Sequence, residues 1–153
     1  MKNEAVVQLS ERAYRRADFE TLARIESQAG DSAWNASSLR QHLEHSSARA
    51  RVITDARAPD EPIGFYVLYP DVVSVYLANI AVAPHWRRKG VATFALQQIE
   101  AWCRHRQIPF LELHVREENL AAQLLYKKSG FVAVEIVRKH YSGADGYAMR
   151  KNL

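Results

Sequence analysis

The stretch that decides the fold is Val72-Val73-Ser74-Val75-Tyr76-Leu77-Ala78-Asn79-Ile80-Ala81-Val82, followed by Ala83-Pro84-His85-Trp86 and then Arg87-Arg88-Lys89-Gly90-Val91-Ala92. Its first part is β-branched and apolar and reads as a strand. After Pro84 the hydrophobic period changes from 2 to 3.6, with Val91, Ala95, Ile99 and Trp102 on one stripe and Ala92, Leu96 and Cys103 beside it. A strand therefore feeds a helix through a basic turn containing glycine. The unpaired amides of a helix start and its dipole both favour an anion, and Gly90 and Ala92 allow a pyrophosphate close to the backbone. Arg87, Arg88 and Lys89 add positive charge at that point. Such a turn also occurs at ordinary surface helices, so its setting between strand and helix carries the argument.

Working outward, Ala50–Thr54 and Ile63–Tyr69 precede this strand and read with it as an antiparallel meander. Upstream, Ala5–Arg15 reads as a strand. Asp18 opens a helix bearing Phe19, Leu22, Ala23 and Ile25, and a second helix follows the capping residue Asn35 through Leu39 and Leu43. Downstream, Phe110–Val115 alternates so that Glu112 and His114 share one strand face and the leucines the other. A helix over Asn119–Lys128 ends at Gly130, and Val132–Lys139 and Tyr147–Lys151 complete the sheet. The order β-α-α-β-β-β-α-β-α-β-β predicts an α/β (α+β) fold, a mixed and largely antiparallel sheet of about seven strands with about four helices.

The chain has 153 residues, 48% hydrophobic and 25% charged, which suits one domain over residues 1–153 burying roughly 68–70% of its unfolded surface. No apolar run approaches the ~20 residues of a membrane span, and the acidic start Met1-Lys2-Asn3-Glu4 does not read as a signal peptide. A single Cys103 agrees with a reducing compartment, so the expectation is a cytoplasmic protein. The formal charge of +4 is scattered among 17 acids, which reads as a solvated surface rather than a nucleic-acid footprint. His42, His45, His85 and His105 show no zinc-like spacing, so no metal is assigned. Cys103 lies on the buried stripe and reads as core rather than nucleophile.

Arg87-Arg88-Lys89-Gly90-Val91-Ala92 has the form R/Q-x-x-G-x-G/A of the GCN5-related N-acetyltransferase superfamily, and nearly the whole chain is similar to that family. Asn79-Ile80-Ala81-Val82-Ala83-Pro84, Leu113-His114-Val115-Arg116, Asn119, Leu125-Tyr126-Lys127-Lys128-Ser129-Gly130-Phe131 and Arg138-Lys139-His140-Tyr141 through Met149 resemble its protein N-alpha-acetyltransferase (RimI-like) branch, as does the position of Trp34. The resemblance implies acetyl-coenzyme A as cosubstrate. The backbone of Ile80, Ala81 and Val82 would pair with pantetheine, Arg87, Arg88, Lys89, Gly90, Val91 and Ala92 would hold the pyrophosphate, and Asn119 would contact the coenzyme arm. Tyr126 would lie near the thioester sulfur and protonate it, as a phenol of pKa near 10 can. The bacterial branch usually carries Glu where this chain has His114, so the general base is open between His114, Glu112 and neither. Trp34, Tyr76, Glu112 and Tyr141 would border the acceptor, His140 standing where the family has another aromatic.

At pH 7 roughly a tenth of an α-amine is neutral but under a thousandth of a lysine, so an imidazole base suits a protein or peptide amino terminus. A small amine such as an aminoglycoside or polyamine is the alternative acceptor. A non-catalytic module sensing acyl-coenzyme A or touching RNA is the alternative of another class. Nucleic acid enters the leading reading only through a ribosomal substrate, and no membrane partner is expected.

Overall fold

The computed structural model describes residues 7–30, 33–141 and 144–153, with the side chains of 139–141 and 144 outside the description. Seven strands form one sheet: β1 (Leu9–Ala13), β2 (Arg49–Asp55), β3 (Pro62–Pro70), β4 (Ser74–Val82), β5 (Phe110–Arg116), β6 (Val132–Tyr141) and β7 (Ala144–Asn152). Among the described residues the four α-helices are α1 (Phe19–Ser27), α2 (Ala36–Leu43), α3 (Val91–His105) and α4 (Leu120–Lys128). The strand order is β1-β2-β3-β4-β5-β7-β6, antiparallel at every junction except the parallel β4–β5 pair. The mixed, mainly antiparallel sheet expected from the sequence is thus found. β6 and β7 extend further toward each other than the sequence reading places them.

Each face of the sheet has its own core. Leu22, Ile25, Leu39 and Leu43 of α1 and α2 pack on Val52, Phe65, Val67 and Ala81. On the other face the α3 stripe, Val91, Ala95, Leu96, Ile99 and Cys103, packs with Tyr126 of α4 on Leu77, Leu111, Leu113 and Val115. Local chemistry sets the helix ends. The Asn35 side chain accepts from the Ser38 N–H at 2.8 Å and starts α2. Asp18 stands before α1 but turns its carboxylate away to a bidentate pair with Arg12, 2.8 Å at each oxygen.

The feature that shapes the site lies in β4. Val67 pairs with Asn79, whereas its neighbour Leu68 pairs with Leu77, so Ala78 is an extra residue in a β-bulge. Before the bulge Val75 and Leu77 face α3. Beyond it that side is taken by Ile80 and Val82, and Ala81 faces α1. Parallel pairing with β5 covers only Ser74–Leu77 against Phe110–Leu113, although β4 runs on to Val82 and β5 to Arg116. The two strands part at the bulge, and β4 keeps a backbone edge facing the gap.

On the other edge of β4, Gly64 of β3 lies across from Val82. A Cβ there would stand 2.9 Å from the Ala81 carbonyl oxygen and 3.5 Å from Val91 Cγ1, a backbone clash that only movement of β4 or α3 relieves. Gly64→Ala is expected to destabilise the fold by about 1–3 kcal/mol, measured as a lower midpoint in urea; an unchanged midpoint would show that β4 is not tightly held.

Candidate active site

The gap between β4 and β5 opens into a cleft of about 160 Å³ lined by Glu26, Trp34, Asn79, Ile80, His114, Asn119 and Tyr126, among others. A second, larger groove of about 530 Å³ runs from Val82 and Trp86 past Arg87, Arg88, Gly90 and Val91 to Ala121 and Leu125. Ala122 borders both, so the two spaces meet beneath α4.

At the groove end, Pro84–Trp86 form a short 3₁₀ turn and Gly90 caps α3. Gly90 has φ +80° and Arg88 has φ +59°, two left-handed residues on either side of Lys89. The strain at Arg88, of order 1–3 kcal/mol, folds the chain into a concavity ahead of the first-turn N–H groups of α3, which no preceding carbonyl can reach. The three cations do not act alike. Arg87 is a brace, donating from Nη2 to the Gln28 carbonyl at 2.8 Å and from Nε to that of Val82 at 3.3 Å. Lys89 sits over the Trp86 ring at 5.4 Å. Backbone donors, positive charge and an open groove together fit a diphosphate.

At the cleft end, β5 presents its polar face as the alternation requires. Its three polar residues are held differently. Glu112 is ion-paired with Arg150 of β7, whose Nε lies 2.9 Å away and whose guanidinium stacks on Phe110. His114 meets Tyr76 of β4, ring centroids 5.3 Å apart and Nδ1 3.3 Å from the phenolic oxygen. Arg116 pairs with Glu118 at 3.6 Å. Burial raises the Tyr76 pKa above that of a free phenol, so its proton stays on at neutral pH.

Tyr126 is 7% exposed, edge-on to Phe131 at 5.7 Å, and faces the cleft from the last turns of α4. Asn119 caps that helix, its Oδ1 accepting from the Ala122 N–H at 3.1 Å, while also bordering the cleft. Trp34 forms the opposite wall. It stacks on His42 at 4.0 Å, and His42 Nδ1 is 2.6 Å from the Tyr69 hydroxyl. Tyr141 ends β6, but its side chain lies outside the described residues.

The sequence reading passed over Glu26. This residue of α1 is 2% exposed and lines the cleft, its two oxygens accepting from Asn79 Nδ2 at 2.6 Å and the Trp34 N–H at 3.3 Å. Burial raises its pKa above the usual carboxylate range. The available signal was its spacing, four residues after Leu22 and seven after Phe19, which sets a carboxylate on the apolar stripe. Cys103 is fully buried, its thiol pushed up to about 11 by desolvation, and no cluster of metal-binding side chains occurs among the described residues.

The chain matches the acetyltransferase (GNAT) family over residues 10–131. It is 29% identical over 129 residues to the [ribosomal protein bS18]-alanine N-acetyltransferase of Haemophilus influenzae, covering 84% of this chain and 85% of that one. Among solved structures it is similar to Ard1 of Thermoplasma volcanium, with TM-score 0.84 and 25% identity over 96% of this chain and 99% of the other. It also overlays a chimera of the spermidine N-acetyltransferase SpeG from Vibrio cholerae with hSSAT, with TM-score 0.80 and 22% identity over 95% of each chain, a likeness of fold. With a matched region spanning most of its length and a glycine-capped basic turn joined to a parted sheet, the chain belongs to the acetyltransferase (GNAT) family and is an N-acetyltransferase that uses acetyl-coenzyme A.

Proposed function

We propose that the acceptor is the α-amine of a protein or peptide amino terminus and that residues 1–153 act as a single domain. The observation that carries this reading is the joint border of one cleft by His114, Tyr126 and the unpaired β4 edge. The extended similarity to an alanine N-acetyltransferase supports the choice of acceptor.

In this reading the α3 cradle and the β4 edge hold the cosubstrate, and the chain's own groups manage two protons. For His114 Nε2 to take a proton from the amine, Nδ1 must carry the other hydrogen and donate it to the Tyr76 oxygen, 3.3 Å away. Tyr76 then serves to hold the tautomer. The amine nitrogen forms a bond to the acetyl carbon, the carbon–sulfur bond breaks, and the Tyr126 phenol supplies the proton that the sulfur takes up. Edge N–H groups of β4 near Val82 stabilise the charge on the acetyl oxygen. Glu112 is engaged by Arg150 and is not among the residues that line the cleft, which favours His114 as the base. Buried Cys103, with its raised pKa, supports direct transfer over a covalent acyl-enzyme.

Three measurements test this. Tyr126→Phe is expected to lower kcat by about 100-fold or more with coenzyme A affinity unchanged within about twofold; wild-type turnover in the variant would remove the phenol from the mechanism. Tyr76→Phe should lower kcat by about 3- to 10-fold, the worth of a hydrogen bond near 1 kcal/mol, and displace the acidic limb of the pH–rate profile; an unmoved limb would free His114 from Tyr76. Finally, a panel of peptides with varied first residues, assayed beside polyamines and aminoglycosides, should show the higher kcat/KM for peptides, and the reverse order would assign a small-molecule acceptor.

A further inference from the structure

Glu26 has a setting that the proton transfers above do not use. Its side chain is almost wholly buried on the sheet face of α1, yet it borders the cleft that His114 and Tyr126 border. Both of its hydrogen-bond donors are neutral, an amide side chain and a backbone N–H. Among the described residues no lysine, arginine or histidine lies within ion-pair distance of it. A carboxylate removed from water without a counter-charge is costly, and part of that cost is recovered when a cation arrives.

The acceptor is such a cation. An α-amine of pKa near 7.7–8.0 enters mainly as ammonium at pH 7, and a lysine-like or polyamine nitrogen almost wholly so. The titratable and charged groups that share the cleft with Glu26 are His114 and Arg116 of β5 and Tyr126 of α4; its contacts on β4 and at Trp34 are uncharged. Arg116 is paired with Glu118, and among the described residues that line the cleft Glu26 is the acidic one. We infer that Glu26 is the ammonium-binding residue of the acceptor site, receiving the protonated amine before His114 takes its proton. The inference rests on the reading of this cleft as the acceptor site and adds that an α-amine binds there as its ammonium form. Asn79 and the Trp34 backbone fix the carboxylate so that the amine meets a preformed partner rather than a flexible one.

The test compares Glu26→Gln with wild type on two peptides of matched shape, one ending in an ordinary α-amine and one in a weakly basic fluorinated amine that is neutral at pH 7.5. KM for the ordinary amine is expected to rise at least 10-fold in the variant. KM for the neutral amine and for acetyl-coenzyme A should change less than twofold. Equal losses for both amines would overturn the inference and leave Glu26 a structural tie. Burial raises the Glu26 pKa, so its ionised form costs folding stability above that pKa and not below the unfolded value. Glutamine keeps an acceptor for one of the two donors and sets an NH2 against the other, which offsets the gain from removing the charge, so the unchanged KM values for the neutral amine and for acetyl-coenzyme A, measured below the melting point of the variant, separate a binding defect from misfolding. A second readout needs no turnover. In protein labelled with 13C-glutamate and saturated with coenzyme A, the Glu26 carboxyl, assigned by its loss in Glu26→Gln, should fall in pKa by at least one unit when alaninamide is added. An unmoved carboxyl overturns the inference whatever the catalytic result, whereas absence of acetyl transfer by wild type to any amine overturns only the proposed function.

Discussion

The site depends on one backbone irregularity, the extra residue Ala78 in β4. Without it β4 and β5 would remain parallel neighbours along their length, every backbone group would be satisfied by the ladder, and no space would exist between them. With it, pairing stops at Leu77 and the remaining five residues of β4 keep a polar edge with no strand beside it. An unsatisfied edge inside a fold is costly unless something pairs with it. Here the open edge leads from the cleft to the groove, where an extended amide-bearing chain can complete the ladder. The bulge also exchanges the two faces of β4, so that Asn79 turns toward α1 and Glu26 while Ile80 and Val82 seal the α3 side. One inserted residue thus opens the sheet and supplies the polar lining on one wall.

That geometry explains which parts of the molecule were legible in the sequence. The α3 stripe, the Asn35 cap and the alternation of β5 rest on local periodicity and capping, and each appears at its expected place. The bulge was not legible, because a run as apolar as Val72–Val82 gives no break in alternation to mark a slipped register. On strict alternation Tyr76, Ala78, Ile80 and Val82 would share one face; in the fold Ile80 and Val82 pack with the α3-side core, and Tyr76 turns to His114 on the opposite face. The polar face of β5 was readable as a set, but not its division of labour. Periodicity says that Glu112 and His114 point the same way; only the neighbouring strands show that Arg150 takes the first and Tyr76 the second. The same limit applies to the basic turn, where three adjacent cations looked equivalent and Arg87 proves to be tied to two carbonyls.

Trp34 shows how the second layer of side chains sets the first. An indole on a connecting segment between two helices would ordinarily sample several rotamers, at a cost of about 0.5–1.5 kcal/mol to immobilise on binding. Stacking on His42, itself bonded to the Tyr69 hydroxyl, fixes that wall before a ligand arrives. The stack is also sensitive to charge: burial and the nearby His45 lower the His42 pKa, which keeps the ring neutral and compatible with the apolar face of the indole. The cleft therefore has one wall stiffened by aromatic contacts and the other by the β5–β7 ladder.

With Glu26 as the ammonium site proposed above, the two ends of this channel attract opposite charges, and that polarity does part of the positioning. In the proposed reading a diphosphate-bearing cosubstrate is drawn to the concavity of Arg88, Lys89 and the α3 amides, where helix dipole and side-chain cations act together. On the reading given above, an ammonium is drawn to Glu26, behind the bulge, where burial strengthens the field of a single carboxylate. Neither reactant gains by occupying the other's end, since an anion beside Glu26 and a cation beside the basic turn are both repelled. On the same reading the two meet at the neutral stretch between them, the β4 edge and Tyr126. Bringing a thioester and an amine together there converts an encounter of two freely diffusing molecules into a reaction within one complex, an advantage that reaches about 7–11 kcal/mol in well-oriented systems. On the proposed mechanism only modest acid–base assistance is needed beyond that, which a histidine and a phenol can provide.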